Sequence, residues 1–382
     1  MKTYDCIVVG VGGVGSAALW EAAKRGWSVL GIDQFGPAHD RGSSHGQSRI
    51  IRRAYFEHPN YVPLVNHAYD LWDELTRRHR TAPEVKELLT NTGLLQVGHP
   101  ESPVIRGVQA SADQHGLMVE RFSPAEIETR LPIFKIPQDH VGLFEPDAGV
   151  LRVELCVAAM IRQSLKLGAE LVSDSAVSSW SIRDDGIIEV RTQAGCYRSS
   201  RLVIAGGAWS QSLLPDLDLR LKVLKTQQHW FQLDRVDQKL INRFPAFLFE
   251  QMDGEVYYGI PELDYLGMKV CEHTGGDLIE DPLKVDRELD RESLSRVVAF
   301  LKRAMNFGHH RLVHHSTCLY TMSPDQHFIV DQHPGCSQVT FAAGLSGHGF
   351  KFAPVIGKYL IELLGNSPQP DFDFLKLERL KS

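Results

Sequence analysis

Apolar residues fall in short runs at both ends of the chain and alternate with polar ones in its second half. Tyr4-Asp5-Cys6-Ile7-Val8-Val9 is a run with the length of a buried parallel strand. Gly10-Val11-Gly12-Gly13-Val14-Gly15 follows at once. Ser16 to Arg25 then carries Ala17, Ala18, Leu19, Ala22 and Ala23 at helical spacing, with Gly26 where a C-terminal cap belongs. Ser28-Val29-Leu30-Gly31-Ile32-Asp33 predicts a second strand ending on an acid. This is a strand–turn–helix–strand unit with glycines where a dinucleotide pyrophosphate needs them. Gly10 allows the tight turn, Gly12 and Gly13 keep the backbone open to approach, and Gly15 lets helix and strand pack closely. Asp33 is set to hold a ribose hydroxyl. The unit predicts dinucleotide binding without separating a flavin from a nicotinamide.

The middle is less regular. Val65, Ala68, Trp72 and Leu75 share one helical face, which core packing accounts for. Ser123-Pro124-Ala125-Glu126 is a capping box with proline at the first helical position. Val153 to Leu167 reads as a helix closed by Gly168, and strands are expected near Glu170–Val172, Ile187–Arg191 and Arg201–Ala205. The last ends in Ala205-Gly206-Gly207-Ala208-Trp209, readable either as an ordinary strand-to-helix turn or as a second cofactor contact. His229-Trp230-Phe231-Gln232-Leu233 and Glu255-Val256-Tyr257-Tyr258-Gly259 alternate, predicting an antiparallel sheet with one face covered between Leu221 and Leu319. Phe328–Asp331, Val339–Gly344 and a helix from Lys351 to Leu364 return to the style of the opening. A nucleotide domain is thus expected from residues 1–85, 150–220 and 321–382, with a second, sheet-built domain from 86–149 and 221–320.

A chain of 382 residues suits two such domains better than one core. Its net charge of −6 argues against nucleic acid or an anionic membrane as the main partner. Six cysteines (Cys6, Cys156, Cys196, Cys271, Cys318, Cys336) form no CxxC pair, so neither a disulfide framework nor a metal site is expected, and a reducing compartment is. No apolar run approaches the roughly 20 residues of a membrane span. The first strand begins almost at Met1, where a cleaved leader would remove part of the fold. The expectation is a cytoplasmic, soluble monomer.

Chemistry concentrates in three places. Gly42-Ser43-Ser44-His45-Gly46-Gln47-Ser48-Arg49-Ile50-Ile51-Arg52-Arg53 runs from small polar residues into three arginines, whose planar forks suit carboxylates or phosphates. A solvated basic helix start is the plainer reading. Lys269 and His273 stand four apart in Met268-Lys269-Val270-Cys271-Glu272-His273, so on a strand both face one cavity. Cys318, in Ser316-Thr317-Cys318-Leu319-Tyr320-Thr321, precedes the pliant loop Gly344-Leu345-Ser346-Gly347-His348-Gly349-Phe350-Lys351. A thiol, a basic residue and a glycine loop at the far end of a dinucleotide domain suggest a flavoenzyme with a covalently attached cofactor.

Taken together, the glycine fingerprint, the His45–Arg52 block, the Lys269 strand, Cys318-Leu319-Tyr320-Thr321, His327-Phe328-Ile329-Val330-Asp331 and the Gly344–Lys351 loop resemble the monomeric sarcosine oxidase family over nearly the whole chain. That family includes N-methyltryptophan and sarcosine/pipecolate oxidases. The resemblance implies a mixed α/β (α+β) fold: a Rossmann-like FAD-binding domain with an inserted antiparallel-sheet substrate domain. It implies FAD joined through its 8α-methyl to Cys318, with Ser43, Gly347, Gly349 and Lys351 among the cofactor contacts. His45 and Arg49 would lie beside the flavin ring, and Arg52 and Lys351 would clamp a substrate carboxylate. Tyr258, His273 and Tyr320 would line the pocket, and Lys269 would face the flavin where oxygen is reduced.

The implied reaction is oxidation of a secondary amino acid, N-methyl or cyclic, to an imine, with molecular oxygen becoming hydrogen peroxide. For sarcosine the imine would hydrolyse to glycine and formaldehyde. N-methyltryptophan and pipecolate remain alternative substrates, and a dehydrogenase with another electron acceptor an alternative activity. A non-catalytic flavin or nucleotide module and a nicotinamide dehydrogenase both leave Cys318 and Lys351 without a role. The chain departs from the family pattern at Ser44, as in the sarcosine/pipecolate branch, at Phe249 in place of a flexible thioether, and at Glu262-Leu263-Asp264-Tyr265 in place of a glycine-rich stretch. The last two are expected to alter the pocket wall.

Overall fold

The computed structural model describes residues 2–80, 86–233, 244–264, 266–306, 310–365, 367 and 370–381. A six-stranded sheet runs in the order Glu170–Val172, Val29–Ile32, Cys6–Val9, Leu202–Ile204, Cys336–Ala343, Ile329–His333. Its pairs are parallel except the last, which is antiparallel. The continuous apolar runs of the central strands are buried on both faces, as a parallel sheet demands. The start, middle and end of the chain thus meet in one sheet.

Against it packs the helix Gly13–Lys24, which ends where Gly26 takes a left-handed φ of +77°. The helices Val153–Lys166 and Ala353–Leu363 flank it. At Gly357 a side-chain carbon would stand 2.6 Å from Ala17 Cβ and from the backbone nitrogen of Ala18, so close helix contact needs glycine there. The helix Tyr61–His79 buries Val65, Ala68, Trp72 and Leu75 together, and the capping box forms at Ser123 and Glu126.

The second sheet has nine strands: Asp277–Ile279, Lys222–Leu233, Met268–Glu272, Val256–Ile260, Ala246–Glu250, Leu94–Gly98, Val141–Glu145, Glu120–Phe122, and His310–Met322 alongside Lys222–Leu233. All pairs are antiparallel but one. Ala246–Glu250 runs parallel to Leu94–Gly98, which differs from a purely antiparallel expectation. One face is covered by the helix Arg291–Ala304, whose Val297, Phe300, Leu301 and Ala304 pack on Phe247, Phe249 and Tyr257. Tyr257 stacks on Phe300 at 4.4 Å.

Three local readings change. The opening apolar run divides at Asp5, whose carboxylate accepts bonds from Ser28. Thr3–Tyr4 joins Gly195–Ser199 in a separate four-stranded sheet that also contains Val177–Ile182, two strands without a clear apolar signal. The arginine block is not a helix start: Ser48–Ile51 is a strand paired antiparallel with Gly149–Arg152, with Ser48 and Ile51 buried. Among the described residues no helix is long and apolar enough to cross a membrane.

Candidate active site

An elongated cavity begins at the glycine turn. Gly10 has φ +82°, and a side chain on it would strike Ala205 O at 2.4 Å. Gly15 lies off the cavity, and a side-chain carbon on it would stand 1.7 Å from Gly10 O, so any side chain is excluded. Asp33 accepts the Val11 N–H at 2.6 Å through one oxygen and the Phe35 N–H at 2.9 Å through the other, so it holds the turn as well as facing the cavity. The helix that follows starts at Gly12 with no side-chain cap and no acid in its first turn. The Gly13 N–H donates to Ser44 Oγ at 3.0 Å, and the positive dipole end of the helix still favours an anion beside it. The second glycine turn, Ala205–Trp209, also borders this space.

From there the cavity runs past Ser43 and Arg49 to a chamber bordered by Arg52, Leu248, Tyr258, His273, Tyr320 and Lys351, with Gly347 and Gly349 in its wall. Gly347 has φ +79° and lies against the Tyr320 ring, where an added carbon would stand 2.7 Å away. Gly10, Gly12, Gly13 and Asp33 are thus joined in one cavity with most of the chamber residues expected from the sequence.

The chamber is rich in buried charge. Arg52 donates from Nη2 to both Glu57 oxygens, at 2.9 and 2.7 Å, and from Nη1 to Ala54 O at 3.0 Å. Lys351 donates to His348 O at 2.8 Å and to Tyr55 Oη at 3.4 Å. Tyr55 Oη and His348 Nδ1 lie 2.6 Å apart, and His348 Nε2 faces Gln326 O at 3.1 Å. With Nε2 donating to that carbonyl, Nδ1 accepts the Tyr55 proton. Burial would raise the Glu57 carboxyl, but Arg52, His348 and Lys351 outweigh it and hold it at about 2. Burial, then Arg52, pushes Lys351 down to about 7. Burial also takes His273 down to about 4 and His348 to about 3, so both rings are neutral at pH 7. Tyr258 and Tyr320 are pushed up by burial and stay protonated.

Besides Gly15, four expected site residues stand beside the cavity rather than on it. Cys318 is fully buried, with Sγ 3.3 Å from Arg49 Nη2, and its neighbours Leu319 and Tyr320 do border the space. His45 is buried with Nε2 3.1 Å from Gly42 O, and burial followed by Arg49 takes it down to about 3. Lys269 points its ammonium at Gly46 O (2.9 Å) and Ser48 O (3.1 Å), so it does not share the cavity with His273, which lies just past the strand end. Phe249 requires a correction. It packs on Phe134, Phe247 and Phe300 in the core, and Leu248 is the residue of that strand in the chamber wall. Side chains alternate across a strand, so a shift of one residue exchanges core for cavity. Glu262–Asp264 is also off the wall, Asp264 pairing with Lys86 and Arg152, and Tyr265 lies outside the described residues.

Sequence reasoning missed Glu57, Tyr55 and Leu248. Glu57 follows Arg52 by five residues, and an acid so close after an arginine cluster was the available signal. Tyr55 and Leu248 carried none, since only packing brings them here.

A glycine turn at a helix N-terminus and a chamber carrying Arg52 and Lys351 border one cavity, the arrangement expected of a flavin-type oxidoreductase. The profile of the DAO family, FAD dependent oxidoreductase, matches residues 5–363, and the chain belongs to that family. It is 37% identical over 365 residues to the monomeric sarcosine oxidase of Streptomyces avermitilis, covering 94% of this chain and 93% of that one. It is likewise 37% identical over 385 residues to the N-methyl-L-tryptophan oxidase of Salmonella typhimurium, covering 98% and 99%. Among solved structures, the open form of NikD, an unusual amino acid oxidase essential for nikkomycin biosynthesis, superposes with a TM-score of 0.85 at 23% identity, covering 98% of each chain, and supports the fold. The residues present fit FAD: the helix N-terminus, with no acid in its first turn, suits its pyrophosphate, and Gly12 and Gly13 border the cavity beside it.

Proposed function

We propose that this FAD-dependent oxidoreductase oxidises the C–N bond of a secondary amino acid, N-methyl or cyclic, and passes the electrons to molecular oxygen to give hydrogen peroxide. The reading includes a thioether from Cys318 to the cofactor and a monomeric protein, divided between residues 1–85, 150–220 and 321–382 on one side and 86–149 and 221–320 on the other. When bound, FAD supplies the two-electron oxidation and its return to oxygen.

The observation that carries the proposal is the Arg52–Lys351 pair facing one chamber with neutral His273, Tyr258 and Tyr320 around it. Arg52 is a permanent cation with a planar fork, and Lys351 adds a second positive charge when protonated, which together suit a carboxylate. Holding the carboxylate fixes the donor carbon relative to the rest of the cavity, which is an entropic contribution to rate. Cys318 Sγ lies 3.3 Å from Arg49 Nη2, next to a permanent cation. His45, Arg49 and Lys269 are assigned to the flavin side of the cavity, and Tyr258, Tyr320 and Leu248 to the substrate.

Mixing the anaerobic holoprotein with sarcosine, N-methyltryptophan, pipecolate, proline or N-methylalanine tests the reading. At least one should bleach the flavin band, with oxygen uptake and peroxide appearing on re-aeration. No bleaching by any of them would defeat the substrate class, and bleaching without oxygen uptake would make the protein a dehydrogenase.

A further inference from the structure

Two buried cations meet on one backbone carbonyl. Ser48 O accepts from Arg49 Nη1 at 2.9 Å and from Lys269 Nζ at 3.1 Å, and Gly46 O accepts from Lys269 Nζ at 2.9 Å. The bonds of this pair run to backbone carbonyls and, from Arg49, to the Cys318 sulfur. Placing two like charges so close in a dry interior is unfavourable unless something nearby offsets it.

The carbonyls reach Lys269 because the chain turns in an unusual way. Gly46 has φ +85° and Gln47 has φ +63°, both left-handed. Gly46 has no alternative, since a side chain there would overlap the Gln228 amide. A glutamine in this region needs support. Glu154, from the first turn of the helix Val153–Lys166, provides it: Oε1 accepts the Gly46 N–H at 2.7 Å and the Gln47 N–H at 3.0 Å. Successive N–H groups in such a turn form a concave anion site, and here the anion is internal. Val153 N to Gln47 O at 2.9 Å and Trp230 Nε1 to Gln47 Oε1 at 2.9 Å complete the brace.

We infer that Glu154 is a positioning residue for the Lys269–Arg49 pair: its carboxylate holds the Gly46–Gln47 turn that presents two carbonyls to Lys269, and adds negative charge to a site that otherwise carries two positive ones. The inference rests on the reading of Lys269 as the cation that serves oxygen reduction.

The surroundings of Lys269 make this charge consequential. Arg49 faces it from the strand Ser48–Ile51, Cys271 from its own strand, Cys318 from His310–Met322, Glu154 from the helix, and the Tyr258 ring lies 6.0 Å away. His45, across the turn, is neutral near pH 7. Burial, then Arg49, pushes the Lys269 ammonium down to about 7, while Cys271, Cys318 and Glu154 act upward. A lysine balanced there changes its charged fraction steeply with any nearby change of charge.

Glu154→Gln tests this, because the amide oxygen still accepts both N–H groups while the charge is gone. In holoprotein labelled with [13Cε]-lysine, the Lys269 resonance is identified by its loss in Lys269→Met and followed through a pH titration. In Glu154→Gln its midpoint should fall by about one pH unit, and Glu154→Asp should restore it. Reaction of the reduced holoprotein with oxygen should slow about tenfold at pH 8.5 and recover towards pH 6, with anaerobic reduction changed less than about twofold. A purely structural role would shift no midpoint. An unmoved midpoint, or one equally lowered in Glu154→Asp, overturns the inference whatever the oxygen kinetics do. A lowered midpoint with unchanged oxygen kinetics upholds Glu154 and instead removes Lys269 from oxygen reduction.

Discussion

Arg52 reaches the chamber already paired with Glu57, so a substrate carboxylate joins a set of charges rather than meeting a bare cation. Glu57 near 2 is ionised throughout the working range, which leaves Arg52, Lys351 and Glu57 with a net charge of one positive when Lys351 is protonated. Truncating one member of a buried charge pair typically costs about 2–5 kcal/mol, so Arg52→Ala should weaken a simple carboxylate inhibitor by about thirtyfold or more. An unchanged dissociation constant would sink the clamp. The pH dependence has a definite sign. A carboxylate prefers protonated Lys351, whose value lies near 7, so affinity should be greatest below pH 7 and fall as pH rises through it. Lys351→Met should bind more weakly and lose that slope, as isothermal titration at pH 6, 7.5 and 9 would record. At the same scale, Lys269→Met should slow oxygen reaction about a hundredfold, the scale of losing one preorganised donor, while anaerobic reduction falls far less. Equal slowing of both half-reactions in stopped flow would restrict Lys269 to shaping the pocket.

At the scale of elements, the strand Ala246–Glu250 separates stability from specificity by alternation. Leu248 pairs across to Tyr258, and Phe249 pairs to Tyr257 on the opposite face. Phe249→Ala opens a cavity in the aromatic core under the helix Arg291–Ala304 and should cost about 3–5 kcal/mol in unfolding free energy, with KM unchanged. Leu248→Ala should instead change the ratio of kcat/KM between sarcosine and a bulkier N-methyl amino acid by about tenfold or more. The converse pattern, a shifted KM from Phe249 alone, would mean the register is wrong.

For the whole molecule, the cavity draws residues from distant parts of the chain, from Gly10 through Arg49, Trp209 and Tyr258 to Lys351. Both sheets border that cavity, and whatever binds only the folded state stabilises it. If Cys318 carries FAD covalently, acid-precipitated wild-type protein should stay yellow, whereas Cys318→Ala should release its colour into the supernatant. The Cys318→Ala protein should then gain about 2.7 kcal/mol of stability at a hundredfold excess of free FAD over its Kd, seen as a concentration-dependent Tm. A wild-type pellet that loses all its colour would refute the linkage.

Local patterns in the sequence were enough to specify the glycine turn, the helix behind it, the capping box at Ser123 and the apolar strands of the first sheet. Each depends on residues within one turn or strand of one another, so spacing alone reports it. Family resemblance brought Arg52, Lys351, Tyr258, His273 and Tyr320 forward as a set, and the fold gathers them around one chamber. What spacing left open was direction. Whether Leu248 or Phe249 faces the chamber depends on the phase of a strand against its neighbours, and whether Lys269 enters the cavity depends on where two carbonyls from the Gly46–Ser48 turn happen to lie. Glu57 meets Arg52 close by in sequence but His348 and Lys351 only through packing, and Glu154 is more than a hundred residues distant in sequence from the turn it holds. Such pairings arise only when the sheets and helices close on each other, because a buried charge takes its partner from whatever packing brings near.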